Sequence, residues 1–430
     1  MIRFLLKGLL RDRSRSSFPV LIVSAGVMLT VFLHAWLNGT ILNVTQSTAQ
    51  FKTGYVNVMT KAYAARADQI PNDLALLGVD TLLASLKQQF PDLLWAPRIM
   101  FGGLLDIPDE KGETKEQTPV SGLGVDLFSP NSPEWTILNI RSALVRGHLP
   151  EKQGELLIAD ELAQRLNIQP GQKATLISST MYGSMALENF TIAGMLRFGV
   201  GPMDRSAVIA DLSDIRQALD MQNGAGEILG FFRDNLYHEE RANAITAEFN
   251  AEYPSNDPEN GAGKFSPIME TLRTQSGLSE VLDIMAVYMR IIIGVFVFAM
   301  SVVLWNAGLT GSLRRYGEFG LRLAVGENKG HVYRSLIVES LAVGVAGSCI
   351  GTAIGLAFSY YLQVHGIDIS GAMPKENAMM IPDVVRAQIE PATFVIGFLP
   401  GILATFFGSA IAGIGMYKRQ TAQLFKELET

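Results

Sequence analysis

Apolar residues fall in four long stretches of this chain, unevenly spaced. Phe18–Leu37 stands alone near the N-terminus, while Ile291–Leu309, Leu336–Leu362 and Phe394–Met416 follow one another near the C-terminus. Each is close to the ~20 residues that carry a helix across ~30 Å of hydrocarbon. The long interval Asn38–Met285 is mostly polar and mixes alternating runs with helical spacings. The pattern predicts a membrane protein with four transmembrane helices, one plus three, and a large α+β domain inserted between helices 1 and 2.

Within the inserted segment, strand character falls at Gly54–Met59, Leu93–Ile107, Glu155–Ile158, Ala174–Ser178, Leu187–Leu196, Ser206–Ala210 and Glu227–Phe232. Helical spacing falls at Val79–Phe90, Ala159–Leu166, Asp211–Leu219 and His238–Phe249, with Asp211 suited to an N-cap. Repeated strand–helix units imply two lobes, closed by the Pro/Gly/Asn-rich linker Pro254–Gly263. Pro267 is a good first helical residue, and no proline follows until well past the second span. Pro267–Thr310 therefore reads as one helix of ~44 residues and ~66 Å, a stalk that continues into the membrane, with Gly277 as a site for a kink. Pro400 is expected to kink the fourth span.

Charge then gives the orientation. Arg3, Lys7, Arg11, Arg13 and Arg15 precede the first span, and Arg314, Arg315, Arg322, Lys329 and Arg334 separate the second from the third. Lys418, Arg419 and Lys426 follow the fourth, whereas the connection between spans three and four carries Asp368, Glu376, Asp383 and Glu390. The positive-inside rule places both termini and the 311–335 loop in the cytoplasm and the inserted domain outside. Met1–Arg13 has the spacing of an amphipathic helix lying along the inner interface. The layout is thus 1–17 amphipathic helix, 18–39 first span, 40–283 outer domain with stalk, and 284–310 second span. It continues with 311–335 cytoplasmic loop, 336–362 third span, 363–392 short outer loop, 393–416 fourth span and 417–430 tail. The first stretch is long for a signal peptide and has no A-x-A-like site after it, so it is expected to stay as a span.

Composition narrows the chemistry. A net charge of -6 without any basic run argues against nucleic acid. The single cysteine, Cys349, lies inside the third apolar stretch and is expected to be a buried spectator. No catalytic or metal-ligating constellation stands out, and no G-x-x-x-x-G-K-[ST] is present to cradle nucleotide phosphates. The third span carries Gly347, Gly351 and Gly355 at every fourth position, a small-xxx-small face for close helix packing.

The most specific stretch is Leu313–His331, a basic amphipathic segment broken by glycines. Its residues alone fit either topogenic charge or a short helix that docks a partner. Two basic residues, Arg314-Arg315, precede Glu318-Phe319-Gly320, Leu321-Arg322 and Ala324-Val325-Gly326, with Val338-Glu339-Ser340 later, ahead of a Gly-rich span. This resembles the FtsX-like ABC transporter permease family, over Ile284 to about Met416. Gly54-Tyr55-Val56-Asn57-Val58, Arg146-Gly147-His148-Leu149-Pro150 and Gly154-Glu155-Leu156-Leu157-Ile158 are similar to the outer domain of its lipoprotein-releasing-type and macrolide-exporter-type members. Tyr55 stands where the family often has histidine, and the family's C-terminal proline motif is missing from Tyr417–Thr430.

The resemblance implies a mechanotransmission permease of the bacterial inner membrane, itself not an enzyme, paired with a second permease copy or paralogue. A separate ABC ATPase dimer would bind the ATP and Mg2+, while this chain binds no cofactor. By the resemblance, Glu318, Gly320, Arg322, Gly326, Glu327 and Lys329 belong to the loop that couples to the ATPase. The complex would extract or export a lipoprotein, lipid or other amphiphile, with a periplasmic carrier, adaptor or lipoprotein as partner. The alternative is a non-transport permease that activates a periplasmic cell-wall enzyme. For extraction, Met28, Val31, Phe32 and Trp36 on the first span and Met289, Ile293 and Phe296 on the second are the expected substrate contacts. The same residues also fit ordinary lipid-facing or packing positions.

Overall fold

The computed structural model describes residues 13–109, 113–253, 261–275, 278–313, 316–372 and 380–418. The amphipathic helix expected at Met1–Arg13 lies outside them but for its last residue. Most of the linker Pro254–Gly263, the kink at Gly277, the paired Arg314-Arg315 and the tail beyond Lys418 lie outside them too. Among the described residues, four helices are long and apolar enough to cross a membrane, at Ser17–Thr53, Asp283–Asn306, Lys329–His365 and Thr393–Ile411. The chain divides into two compact units. One comprises residues up to Leu42, Ile284–Ile367 and those from Val385 onward; the other comprises Asn43–Asp283 and Asp368–Val384.

In the first unit, glycines decide how the helices meet. The helix Lys329–His365 turns Gly347, Gly351 and Gly355 toward the helix Arg13–Thr48. Side-chain carbons built at these positions would stand 2.6 Å from Val23 Cβ, 2.5 Å from the Ser24 carbonyl oxygen and 2.9 Å from Val31 Cβ. Real carbons do not approach so closely, so glycine is what allows the contact. The fourth apolar segment answers with Gly397, whose missing side chain leaves room for Val27 and Val31. Val23, Val27 and Val31 are thereby buried together with Leu304 and Ala404. The expected kink at Pro400 takes the form of a break at Gly397, between short helix Thr393–Ile396 and helix Phe398–Lys418. Proline cannot donate the bond that would carry the helix through that turn.

The second unit is built on a ten-stranded mixed sheet. In chain order its strands are β1 (Val56–Thr60), β2 (Leu93–Pro108), β3 (Thr114–Val125), β4 (Leu144–Gly147) and β5 (Glu155–Ala159). They continue with β6 (Lys173–Ser179), β7 (Met185–Leu196), β8 (Ala207–Asp211), β9 (Glu227–Phe232) and β10 (Pro267–Thr271). The spatial order is β10-β1-β9-β2-β3-β8-β5-β7-β4, with β6 bridging β2 and β7. Among the described residues, only β3–β8 and β5–β7 pair in parallel.

Strand β2, sixteen residues long, serves both lobes. Leu93, Trp95 and Ala96 enter a core with Tyr55, Phe231, Phe232 and Phe249, while Ile99, Phe101 and Leu105 enter another with Leu162, Phe190 and Ile215. Helices Val79–Gln89, Asp160–Arg165, Leu212–Ala218 and Glu239–Glu252 cover the sheet. Asp211 caps the third of these by accepting from the Ser213 N–H.

Two expectations change. Pro267 opens β10, which pairs with β1 from Pro267 opposite Thr60 to Thr271 opposite Val56. The membrane helix begins only at Leu278, so the proposed 44-residue stalk is a strand, a turn and a 36-residue helix. The five-residue run ends the sheet because tertiary pairing outweighs a favourable helix start. Second, Cys349 is exposed on its helix instead of buried, since the glycine-lined side of that helix takes the packing.

Candidate coupling site and helix interface

The short helix Tyr316–Ala324 and the long helix Lys329–His365 are joined by a tightly bonded turn. Gly326 takes φ +97°, a conformation that costs a side-chain-bearing residue energy. Its N–H reaches the Leu323 carbonyl at 3.1 Å, and the Glu327 N–H reaches the Arg322 carbonyl at 3.0 Å. These paired bonds are a Schellman motif, which satisfies carbonyls that the helix end leaves open. The Asn328 side chain then accepts from the Gly330 N–H at 3.0 Å and caps the next helix. Glu327 lies 3.7 Å from His331. The turn therefore has one shape, set by Gly326 and Asn328.

The two faces of the short helix differ. Leu323 packs with Tyr333 against buried Val332 and Leu336, and Gly320 is buried. On the other side Leu321 is 59% exposed and Val325 82% exposed. They stand four residues apart, hence side by side, with Ala324 exposed between them. Glu318, in the first turn, suits the positive end of the helix dipole, and Arg322 in the last turn suits the negative end. Lys329 does not fit this pattern. It opens a 37-residue helix with no acid in its first turn, where the dipole disfavours a cation.

The substrate-contact residues expected on the first span separate into two groups. Val31 is fully buried and enclosed by Gly355 and Gly397, so it packs against the third and fourth segments. Phe32 and Trp36 flank buried Ala35 and Leu362, and the Phe32 ring lies 5.1 Å from that of Phe358. Met28 is half-buried, with its carbonyl against Gly355. On the second span Met289, Ile293 and Phe296 are all half-buried and share a helical face at i, i+4 and i+7. Contact between the two helices runs through Gly26, set against Met300 Cε and Leu304.

Sequence reasoning missed three features of this unit. Leu321 and Val325 stood out only as motif residues and not as an uncovered edge, although apolar residues on both sides of a nine-residue helix signal a face awaiting cover. Gly26 was one glycine among many. At the far end of the first helix, His34 Nδ1 lies 3.1 Å from Thr393 Oγ1, while Asn38 donates to Glu390 Oε2 at 3.2 Å. These bonds span 359 and 352 positions in sequence, and only the fold brings the two pairs together. Among the described residues, no cluster of His, Cys, Asp or Glu is arranged to hold a metal ion.

The part of the chain containing the short helix, the glycine ladder and the last three spans carries a family match. Residues 290–421 match the FtsX-like permease C-terminal family. The C-terminal third of the chain is thus an FtsX-like permease region. Over 266 residues it is 22% identical to the lipoprotein-releasing system transmembrane protein LolC of Haemophilus influenzae. That match covers 60% of this chain and 62% of LolC. Among solved structures, the periplasmic region of MacB from Actinobacillus actinomycetemcomitans aligns with a TM-score of 0.34 at 11% identity. The alignment covers 55% of this chain and 95% of that region.

Proposed function

We propose that this chain is the permease subunit of a bacterial inner-membrane ABC transporter, moved by a separate ATPase that docks on the helix Tyr316–Ala324. The observation that carries it is the exposed Leu321–Val325 pair on a helix whose exit turn is fixed by Gly326 and Asn328. A rigid, amphipathic element with an uncovered apolar edge suits a groove in another protein. Lys329, disfavoured by its own helix, supports a role toward that partner. Glu318, Gly320, Arg322, Gly326 and Glu327 then form or shape the docking element.

In this reading both termini and the docking helix face the cytoplasm, and the inserted domain faces the periplasm. ATP-driven motion of the membrane helices moves the inserted domain and so extracts or exports a lipoprotein or other amphiphile. LolC, a relative, is named for lipoprotein release. Met28, Phe32 and Trp36, with Met289, Ile293 and Phe296, are the surfaces offered to acyl chains.

Co-purification of the full chain with its ATPase tests the reading. Leu321→Asp with Val325→Asp should lower capture of the ATPase by about tenfold or more, because a charge would be buried in an apolar contact. Undiminished capture would remove this helix from the role. Stimulation of the assembled complex by a lipoprotein, against activation of a cell-wall hydrolase, decides between transport and signalling.

A further inference from the structure

The last turn of the first helix ends inside the inserted domain. After Thr48 the chain makes a π-helical turn, Ala49–Thr53, and Gly54 then lets it reverse into β1. A helix end leaves several carbonyls without partners within the helix. Here buried side chains take two of them. Arg98 of β2 donates to the Gln50 carbonyl at 2.7 Å, and Gln275 donates to the Thr53 carbonyl at 3.2 Å.

Both donors are themselves held. Arg98 forms a two-pronged pair with Glu134, 2.7 Å on each side, and both side chains are 1% exposed. Gln275 accepts from Asn57 of β1 at 3.2 Å. The turn also carries two buried apolar residues to different places. Ala49 enters the core of Trp95 and Phe231, while Phe51 enters that of Leu123 and Leu157, its ring 5.1 Å from Phe198.

A buried ion pair is weak support for stability, because desolvation offsets most of the attraction and an apolar pair would serve as well. What it supplies is direction. Charge-assisted bonds on both prongs fix the guanidinium plane, and with it the third donor aimed at Gln50. We infer that the turn Ala49–Thr53, clasped by Arg98–Glu134 and Gln275, is the joint at which movement of the first helix is handed to the sheet of the inserted domain. The inference rests on the permease reading above, and these are positioning residues, acting through the main chain of the turn.

The test uses the full chain in lipid nanodiscs, with Cys349→Ala and spin labels at Gln46→Cys and Ser121→Cys. Arg98→Met combined with Glu134→Leu keeps the volume of the pair and removes the clasp on Gln50. Gln275→Leu removes the other clasp and leaves the ion pair, in case the double variant folds poorly. The unsubstituted clasp should give a narrow distance distribution; either variant should broaden it while the thermal midpoint holds. In the complex with its ATPase, ATP-driven displacement of the label pair should fall by about fivefold or more, the scale of a lost coupling energy, with ATP hydrolysis retained. Unchanged breadth in both variants, or full displacement without the clasp, would overturn the joint. If the intact complex hydrolyses no ATP, the transporter reading fails, while the breadth measurement still decides the joint.

Discussion

Gly351 lies directly against the main chain of Ser24, with room for a hydrogen and nothing larger: a side-chain carbon there would stand 2.5 Å from the Ser24 carbonyl oxygen. The obstacle is backbone, which cannot swing aside as a flexible side chain would. Gly351→Ala should therefore push the two helices apart and cost about 1–3 kcal/mol, the range for overpacking. Gly294 is the control, since a carbon built there meets nothing within 4 Å. Gly294→Ala should leave stability unchanged or slightly raised by helix propensity. Thermal unfolding of both variants in the same detergent checks this, and equal midpoints would mean that the glycine ladder is not a tight contact.

The Schellman turn gives a second expectation. Nothing lies within 4 Å of a carbon built at Gly326, so substitution meets no steric obstacle. The penalty of Gly326→Ala comes from φ +97° alone, about 1 kcal/mol. Gly326→Asn, which tolerates left-handed backbone better, should lose less. Stimulated ATPase activity of the complex should fall in the order Gly, Asn, Ala. A bulky residue that leaves activity intact would show that the turn's shape is not what the partner reads.

The sheet between the lobes contains a carboxyl with a pH signature. Glu227, buried, pairs with Arg98 across the strands β9 and β2. Burial pushes its carboxyl up to about 7, against smaller opposing effects of the Asn57 hydrogen bond and the Arg98 and Lys52 charges. The unfolded chain releases the same proton near 4.5. Between those values the folded state holds the extra proton, so stability is full below about 4.5 and falls as the pH rises through 7. The loss amounts to about 3 kcal/mol at most. Glu227→Gln should flatten that slope, measured as thermal midpoint against pH from 5 to 8. A slope that survives the substitution assigns it to another group.

Much of this architecture was legible because hydrophobic periodicity is local. The four spans, the strand Glu227–Phe232 and the cap at Asp211 all follow from neighbours in sequence. What failed depended on distant partners. Strand β3 escaped notice because Pro119, Gly122 and Gly124 disfavour a strand; yet Gly122 is where the ring of Phe101 sits, and any side chain would collide with it. Pro267 reads as a helix start, but β1 supplies a partner and makes it a strand. The loop 311–335 was marked out by its motif, whereas its uncovered Leu321–Val325 edge depends on how the chain folds. The Arg98–Glu134 pair joins residues 36 apart and has no local pattern at all.

The last expectation concerns the segment between the third and fourth spans. Part of it, Asp368–Val384, folds with the inserted domain. Asp383 donates its N–H to the Gly199 carbonyl at 2.6 Å, and Val200 bridges to Pro382. The loop that receives it is held in turn by Asp204, whose carboxylate accepts from the N–H groups of Phe198, Gly199 and Val200 at 2.6, 2.8 and 3.1 Å. Asp204 is 4% exposed, and Asp204→Ala would leave these three N–H groups without its carboxylate as acceptor. Each unmet donor costs about 1–3 kcal/mol when buried. The loop should therefore loosen and release the segment docked on it. Hydrogen–deuterium exchange should rise together at residues 198–200 and 380–384, while the Glu227–Phe232 strand stays protected. Faster exchange at 198–200 with no change at 380–384 would show that the segment is held by contacts other than this loop.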